Sequence, residues 1–413
     1  MEILETLSDR KTWDAFIQYK TERQHLSLKE KEMLEQYLES DSFWAMVKEL
    51  QQPDRSIPVP VKHYINKDGV KRKRVVYSYE EEEFVWILKC ITYCLYRYDS
   101  RFAPNCYAFR RDYGVGNAMQ RIRKTGKLSC KYCLKVDIHD YFNSISPRLL
   151  LEQLSFLYEQ DAGLYRLFKD MLTDTRVKDI DGVVKKEEHK GAMAGVPVAS
   201  FFANVYLSDV DWYFEKQDVL YYRYSDDILI FADSREELSK LQEALYSRID
   251  EHGLLLNPDK VSITRPGQTW EFLGFCYRDG KIDLSEHTKY KIKGKIKRKA
   301  HALRNWQRKK GLSGDKACKG FIRAMNHKFY GFEEEDSFSW NRWFFPNLTT
   351  ADGLKEIDAY MQQYIRYCMT GRHYKGNFRI RYEQLKQWGY RSLVAEYYKR
   401  KKEVKQECGM KKL

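Results

Sequence analysis

Residues 220–234 read LYYRYSDDILIFADS, two adjacent aspartates, Asp226 and Asp227, set between two short runs of apolar and aromatic residues. Each run has strand composition, and Ser-Asp-Asp between them is turn chemistry, so the stretch predicts a β-hairpin with a carboxylate pair at its tip. Two such charges, held close together and drawn toward a core, repel each other and lose hydration. A divalent cation would offset both costs. A second aspartate appears in similar dress upstream, where Asp137 ends the apolar run of CLKVDI (133–138). Brought together on neighbouring strands, Asp137, Asp226 and Asp227 make an all-oxygen site suited to Mg2+ or Mn2+. Two such ions, about 4 Å apart, would serve an in-line displacement at phosphorus.

The rest of the chain is consistent with a folded protein that meets a polyanion. Its 413 residues are 43% hydrophobic, enough for a sizeable core and more than one domain, and 73 Lys and Arg against 59 Asp and Glu leave a net charge of +14. Apolar runs are too short for a membrane span, and MEILETLSDRKTWDAF at the start does not read as a leader, so no membrane partner and a cytoplasmic setting are expected. The nine cysteines have no disulfide-scaffold spacing, and the Cys130/Cys133 pair lacks the second pair of a zinc site.

Strand and helix signals alternate between about 60 and 285, the pattern of an α+β fold with an antiparallel sheet backed by helices. Before it, residues 1–60 read as a helical extension, in which Ser27 and Glu30 form a capping box. Within it, VKHYINKDGVKRKRVVYSY (61–79) predicts a hairpin turning at Asp68-Gly69, with Lys71, Arg72, Lys73 and Arg74 on its second arm. Four glutamates, Glu80 to Glu83, open a helix over 80–98, and further helices are predicted from Pro147, through GVPVASFFANVYLSDVDWYFEKQ, and over 235–252. After 285 the composition changes: eleven basic and no acidic residues lie between Lys289 and Lys310, which sets 286–413 apart as a basic helical region.

Several of these stretches together resemble the reverse transcriptases, and they do so in order along the chain. YSDD (224–227) resembles the YxDD box, and LKVDIHDYFNSI (134–145) resembles palm motif A. GAMAGVPVASFFANVYL (191–207) is similar to motif B, with Gly191, Gly195, Pro197, Ala203 and Asn204 in place. GLLLNPDK (253–260) resembles motif D, and FLGF (272–275) resembles the primer grip. NCYAFRRDYGVGNAMQRI (105–122) is similar to a fingers motif of group II intron and retron enzymes. Met193-Ala194 replaces the usual Pro-Gln of motif B, and Ala199 stands where serine is common.

The resemblance implies a right-hand polymerase with fingers and palm over 61–285 and a helical thumb and C-terminal region over 286–413. It implies that Asp137, Asp226 and Asp227, with the Ile138 carbonyl, hold two Mg2+ or Mn2+ ions. Arg74, Arg110, Gly195 and Lys260, with Lys71 as a further cation, would contact the incoming nucleotide. Phe142, five residues after Asp137, would sit against the ribose 2′ position and favour deoxynucleotides. Phe272, Leu273 and Gly274 would form the primer grip, and Lys291, Lys295, Arg298 and Lys299 would follow the nucleic-acid backbone, where each phosphate neutralised releases counterions. His139 and Asp140 are read as structural or solvent residues.

The implied activity is RNA-directed DNA synthesis from dNTPs onto a primer hydroxyl, with an RNA template and a cDNA product. Among bacterial relatives the sequence is most similar to the antiphage defence-associated and retron enzymes, which implies a structured noncoding RNA as partner. Two alternatives stand beside this: a template-independent or RNA-making polymerase on the same palm, and an inert RNA-binding protein derived from one. The acid run Glu333 to Asp336 reads as a loop, and no endonuclease or ribonuclease H pattern accompanies the polymerase motifs.

Overall fold

The structure is a computed structural model that describes residues 2–24, 26–66, 73–331 and 339–410. Asp68, Gly69, Lys71 and Arg72 of the expected hairpin turn, and Glu333 to Asp336, lie outside the described residues. The chain forms two compact units, one of residues 1–118 and 130–266, the other of residues 119–129 and 267–413.

The first unit is built on a four-stranded antiparallel sheet. Strands β1 (Val61–Asn66), β2 (Lys73–Ser78), β3 (Tyr132–Asp137), β4 (Arg176–Lys178), β5 (Val184–Lys186), β6 (Leu220–Tyr224), β7 (Asp227–Ala232) and β8 (Ser262–Thr264) follow in chain order. The central sheet runs β6-β7-β3-β8. Strands β6 and β7 pair from Leu220↔Phe231 to Tyr224↔Asp227, which leaves Ser225 and Asp226 as a two-residue turn. Ser225 takes φ 60°, a left-handed conformation that costs a non-glycine residue roughly 1–2 kcal/mol. Leu229, Ile230 and Phe231 are buried, and the helix Arg235–Glu251 packs Leu238, Leu245 and Ile249 behind β3 and β7.

A second sheet, β2-β1-β4-β5, carries the basic hairpin, whose arms pair from Val61↔Ser78 to Asn66↔Lys73 as the sequence predicts. It is clasped to the central sheet by the motif B segment. The Tyr77 N–H donates to the Ala194 carbonyl at 2.7 Å, and Gly195 beside it has φ 105°. A Cβ at Gly195 would lie 2.7 Å from the Tyr77 carbonyl oxygen, so only glycine admits this approach. Strands β4 and β5 were not foreseen. They are short and mostly exposed, without the alternation that marks a strand, although Asp181-Gly182 between them is a hairpin signal.

Residues 1–60 carry helices, and Ile3, Leu7, Trp13, Phe16 and Phe43 share one core with Phe84, Ile87 and Leu134. The capping box of Ser27 and Glu30 is present within that segment. The helix read through 195–217 is broken at Leu207 into Ala199–Tyr206 and Ser208–Lys216.

The break brings Asp209 to His252, whose Nε2 lies 3.1 Å from the Asp209 carboxylate while its Nδ1 lies 2.7 Å from the Arg248 carbonyl. Burial alone would lower the His252 pKa, but the Asp209 carboxylate outweighs it and the net shift is upward. A folded value above the unfolded value of about 6.5 means that the pairing stabilises fully below that pH and fades as pH rises through the folded value. We therefore expect the melting temperature to fall between pH 6 and 8.5, and the fall to be shallower in Asp209→Asn.

The second unit opens with the meander β9 (Trp270–Phe272), β10 (Phe275–Arg278) and β11 (Lys281–Leu284). Helices Glu286–Lys309, Gly314–Tyr330 and Asp352–Thr370 pack on one another. Buried Asp358 accepts from the N–H groups of Leu393 and Val394 and so caps the helix Leu393–Met410. The longer stretch of this unit begins at 267, ahead of the change in charge at 286, because the meander belongs with the helices: Gly353 N–H donates to the Asp283 carboxylate and Thr349 N–H to the Ile282 carbonyl. Among the described residues no helix is long and apolar enough to cross a membrane.

Candidate active site

The register of the central sheet brings the three aspartates to one end. Asp137, the last residue of β3, lies opposite Asp227, the first of β7, and the Ile138 N–H donates to the Asp226 carbonyl at 3.0 Å. The 253–260 stretch then lies along the end of β3. His139 N–H donates to the Leu255 carbonyl at 2.7 Å and Asn257 N–H to the Asp137 carbonyl at 2.8 Å. This delivers the Lys260 ammonium to the Asp137 carboxylate at 2.6 Å.

Burial raises the carboxyls of Asp226 and Asp227. Asp226 is moved further by the charge of Asp137, with Lys260 and Arg74 opposing. Asp227 is pushed up to about 6, the Lys135 ammonium opposing and its two aspartate neighbours adding to the rise. One Asp227 oxygen is buried without a hydrogen-bond partner, with Lys135 Nζ at 3.6 Å. Such a cluster is short of positive charge. Its carboxylate and carbonyl oxygens are the donor set of a hard divalent cation. Among the described residues no three carboxylate, imidazole or thiol groups enclose an ion as they stand, and Lys260 takes up one oxygen of Asp137.

Asp137 and Asp226 open onto a cleft of ≈310 Å³ lined also by Lys73, Arg74, Phe142 and Lys260, with Val75, residues 138–141 and Asn257 completing it. The strand β2 is held over the cleft by the Tyr77–Ala194 bond and by Asn143, whose Nδ2 donates to the Val75 carbonyl at 3.2 Å. Lys73 is a cleft cation that the sequence did not single out. His139 and Asp140, read there as structural or solvent residues, also line the cleft. Both aromatics of motif A border the cleft, but they differ in exposure: Tyr141 is buried with its hydroxyl on the Ala203 carbonyl at 2.5 Å, whereas Phe142 is half-buried. The Phe142 carbonyl accepts from Ala192 N–H at 2.7 Å and its ring meets Phe109 edge-on with centroids 6.0 Å apart.

Arg110 is not brought to the cleft. Its guanidinium is consumed by the carbonyls of Asp99, Ala103 and Cys106 and by the Asp99 carboxylate at 3.3 Å, with the Tyr113 ring 3.7 Å away. Gly195 serves the clasp to β2 rather than lining the cleft. Lys71 lies outside the described residues.

Beneath the hairpin lies a pair that nothing in the sequence joins. Arg223 and Asp211 are both fully buried, with Nε–Oδ1 2.7 Å and Nη2–Oδ2 2.5 Å. Tyr221 donates its hydroxyl to Asp211 at 3.0 Å, and Arg223 Nη1 donates to the Ser225 carbonyl at 3.3 Å. The strained turn that carries Asp226 is thus tied from below. The segment Asn105–Tyr107 extends the sheet edge here, with Tyr107 N–H on the Arg223 carbonyl and Arg223 N–H on the Asn105 carbonyl, each at 2.9 Å.

In the second unit, Phe272, Leu273 and Gly274 form the tight turn between β9 and β10, and the Gly274 carbonyl accepts from Ser285 N–H and Thr288 Oγ1. On the helix Glu286–Lys309, Lys289 and Lys293 are neutralised by Glu356. Lys291 is exposed, while Lys295, Arg298 and Lys299 line a groove of ≈500 Å³ shared with His327 and Lys328 of the next helix. Lys328 joins this set only through tertiary packing.

Comparison with known proteins places this arrangement. Over 233 residues the chain is 23% identical to the retron Ec86 reverse transcriptase of Escherichia coli, covering 55% of this chain and 65% of that protein, so it spans just under two thirds of the curated relative's length. Among solved structures it is similar to telomerase from Candida albicans in complex with a fragment of telomeric RNA. There the TM-score is 0.44 and the identity 15%, over 86% of this chain and 68% of the other. It is also similar to apo telomerase from Candida tropicalis, with TM-score 0.44 and 12% identity over 84% and 69% of the two chains. Residues 65–277, just over half of the chain and the part that carries β2 to β9 with all three aspartates, match the family described as reverse transcriptase (RNA-dependent DNA polymerase), and the chain belongs to that family.

Proposed function

We propose that the protein is an RNA-directed DNA polymerase that adds deoxynucleotides to a primer hydroxyl on an RNA template. The observation that carries this reading is the convergence of Asp137, Asp226 and Asp227 at the end of one antiparallel sheet, where Asp137 and Asp226 share a cleft with Lys73, Arg74 and Lys260. Asp137, Asp226 and Asp227, with the Ile138 carbonyl, would hold Mg2+ or Mn2+. Two such ions supply Lewis acidity at the attacking hydroxyl and at the departing phosphate oxygen.

The chain's own side chains bind and orient. Arg74 and Lys73 pair with the triphosphate oxygens, Arg74 through the fork geometry of its guanidinium. Lys260, whose ammonium meets the Asp137 carboxylate at 2.6 Å, would give a proton to the leaving pyrophosphate. Phe142 closes the side of the cleft where a ribose 2′-hydroxyl would lie. The finer reading, that the template is a structured noncoding RNA and the setting a cytoplasmic antiphage system, rests on the sequence resemblance.

The test is extension of a primer annealed to a defined RNA, with dNTPs or NTPs and Mg2+ or Mn2+. The base incorporated is expected to change when the template base is changed. Incorporation that ignores the template would overturn the reading in favour of template-independent synthesis. Phe142→Ala is expected to lower the preference for dNTP over NTP by roughly tenfold or more, measured as the ratio of the two kcat/KM values. An unchanged ratio would remove Phe142 from sugar selection.

A further inference from the structure

The loop after the helix Asp352–Thr370 reads GRHYKGNFRIR (371–381) and carries four cations, Arg372, Lys375, Arg379 and Arg381, without an acidic residue. It also exposes two large rings, Tyr374 at 52% and Phe378 at 64% of their surface. Exposed aromatic surface so concentrated is unusual unless something covers it.

The loop is a built structure. Gly371 ends the helix at φ 82°, where any side chain would collide with the Arg304 guanidinium. Buried Asn377 donates to the Arg372 carbonyl and accepts from Thr370 Oγ1, each at 2.8 Å, and Arg366 Nε donates to the Ile380 carbonyl at 3.0 Å. His373 stacks on Tyr367, interplanar angle 11° and centroids 4.7 Å apart, and Tyr367 shares a hydrogen bond with His301 of the basic helix Glu286–Lys309. Within this polar frame the Arg372 guanidinium lies 5.9 Å from the Tyr374 ring centroid and that of Arg366 5.6 Å from the Phe378 centroid, and about half or more of each ring residue stays exposed. None of the four cations is engaged by a carboxylate among the described residues.

We propose that residues 372–381 form a binding platform for an unpaired nucleic-acid strand, its bases stacked on Tyr374 and Phe378 and its phosphates met by Arg372, Lys375, Arg379 and Arg381. Ring faces accept any unpaired base but not one already inside a duplex, and the cations supply the charge complement. An acidic protein partner would answer the cations without requiring two exposed rings.

The platform is tested by binding to the full chain, without nucleotides, so the outcome is independent of whether synthesis occurs. Fluorescence anisotropy with a labelled single-stranded RNA and with the same RNA in a duplex is measured over a range of KCl concentrations. Tyr374→Ala with Phe378→Ala is expected to weaken single-strand binding about tenfold or more and to leave duplex binding within twofold. Arg372→Gln with Arg379→Gln is expected to reduce the single-strand salt slope by about 1.4. A 4-thiouridine RNA should also photo-crosslink to the peptide containing Tyr374 in the unmodified protein, a readout that no folding defect can imitate. Unchanged affinity in both variants with no crosslink in this peptide would overturn the proposal and leave the surface to a protein partner. Equal losses for single strand and duplex would overturn the stacking.

Discussion

Replacing Asp226 and Asp227 together with alanine is expected to lower nucleotide incorporation by at least about a thousandfold while leaving the protein folded. The activity loss follows from the proposed role: with Asp137 they would supply oxygen ligands for the ions, and the charge stabilisation such ions give is worth several kcal/mol, about a factor of ten for each 1.4 kcal/mol. The fold survives because neither side chain holds it together. Burial raises both carboxyls, and one Asp227 oxygen has no hydrogen-bond partner, so the ion-free protein gains by losing them. Single-turnover incorporation and a melting curve in chelator check the two halves, with the melting temperature expected to hold or rise. Incorporation within tenfold of the unmodified protein would remove these residues from the chemistry.

The second large effect is on stability. Asp211→Ala is expected to destabilise the first unit by about 3–5 kcal/mol, measured by urea unfolding, because it strands the fully buried Arg223 without its counter-charge. It also frees Tyr221 and loosens the contact between Arg223 and the Ser225 carbonyl, so the turn that presents Asp226 loses its support. Asp211→Ala combined with Arg223→Met should recover part of the loss, since no unpaired charge is then buried. A loss below about 1 kcal/mol for the single variant would show that the pair is dispensable.

These two clusters differ in how far sequence reveals them. The aspartates are legible because their signal is local: strand composition on either side of a polar pair, a second strand ending in aspartate, and ordered boxes between and beyond. The Arg223–Asp211 pair is not. Arg223 alternates with tyrosines in a strand and Asp211 sits in a helix, and only the packing of Ser208–Lys216 against β6 joins them.

Arg110 shows the same limit from the other side. Its place in a fingers-like motif suggests a phosphate ligand, but which way a guanidinium points is set by the carbonyls around it, and here three of them take it. Lys73 and Arg74 adjoin in sequence and both reach the cleft, because β2 is clasped at Gly195, a long-range contact that needs a glycine on one strand of chain and an open carbonyl on another. The boundary near 285 marked a real change in charge, yet the β9–β11 meander before it carries no such change and packs with the helices that follow.

On the proposed function, divalent cations are held where β3 ends and the β6–β7 hairpin turns. The most direct measurement replaces Mg2+ with Fe2+ in ascorbate and peroxide, so that hydroxyl radicals cut the polypeptide beside the bound ion, and maps the cuts by mass spectrometry. Cuts are predicted around residues 136–139 and 225–228, suppressed by excess Mg2+ and lost in the Asp226→Ala, Asp227→Ala protein. Cuts confined to other parts of the chain, or cuts here that persist in the double variant, would contradict it.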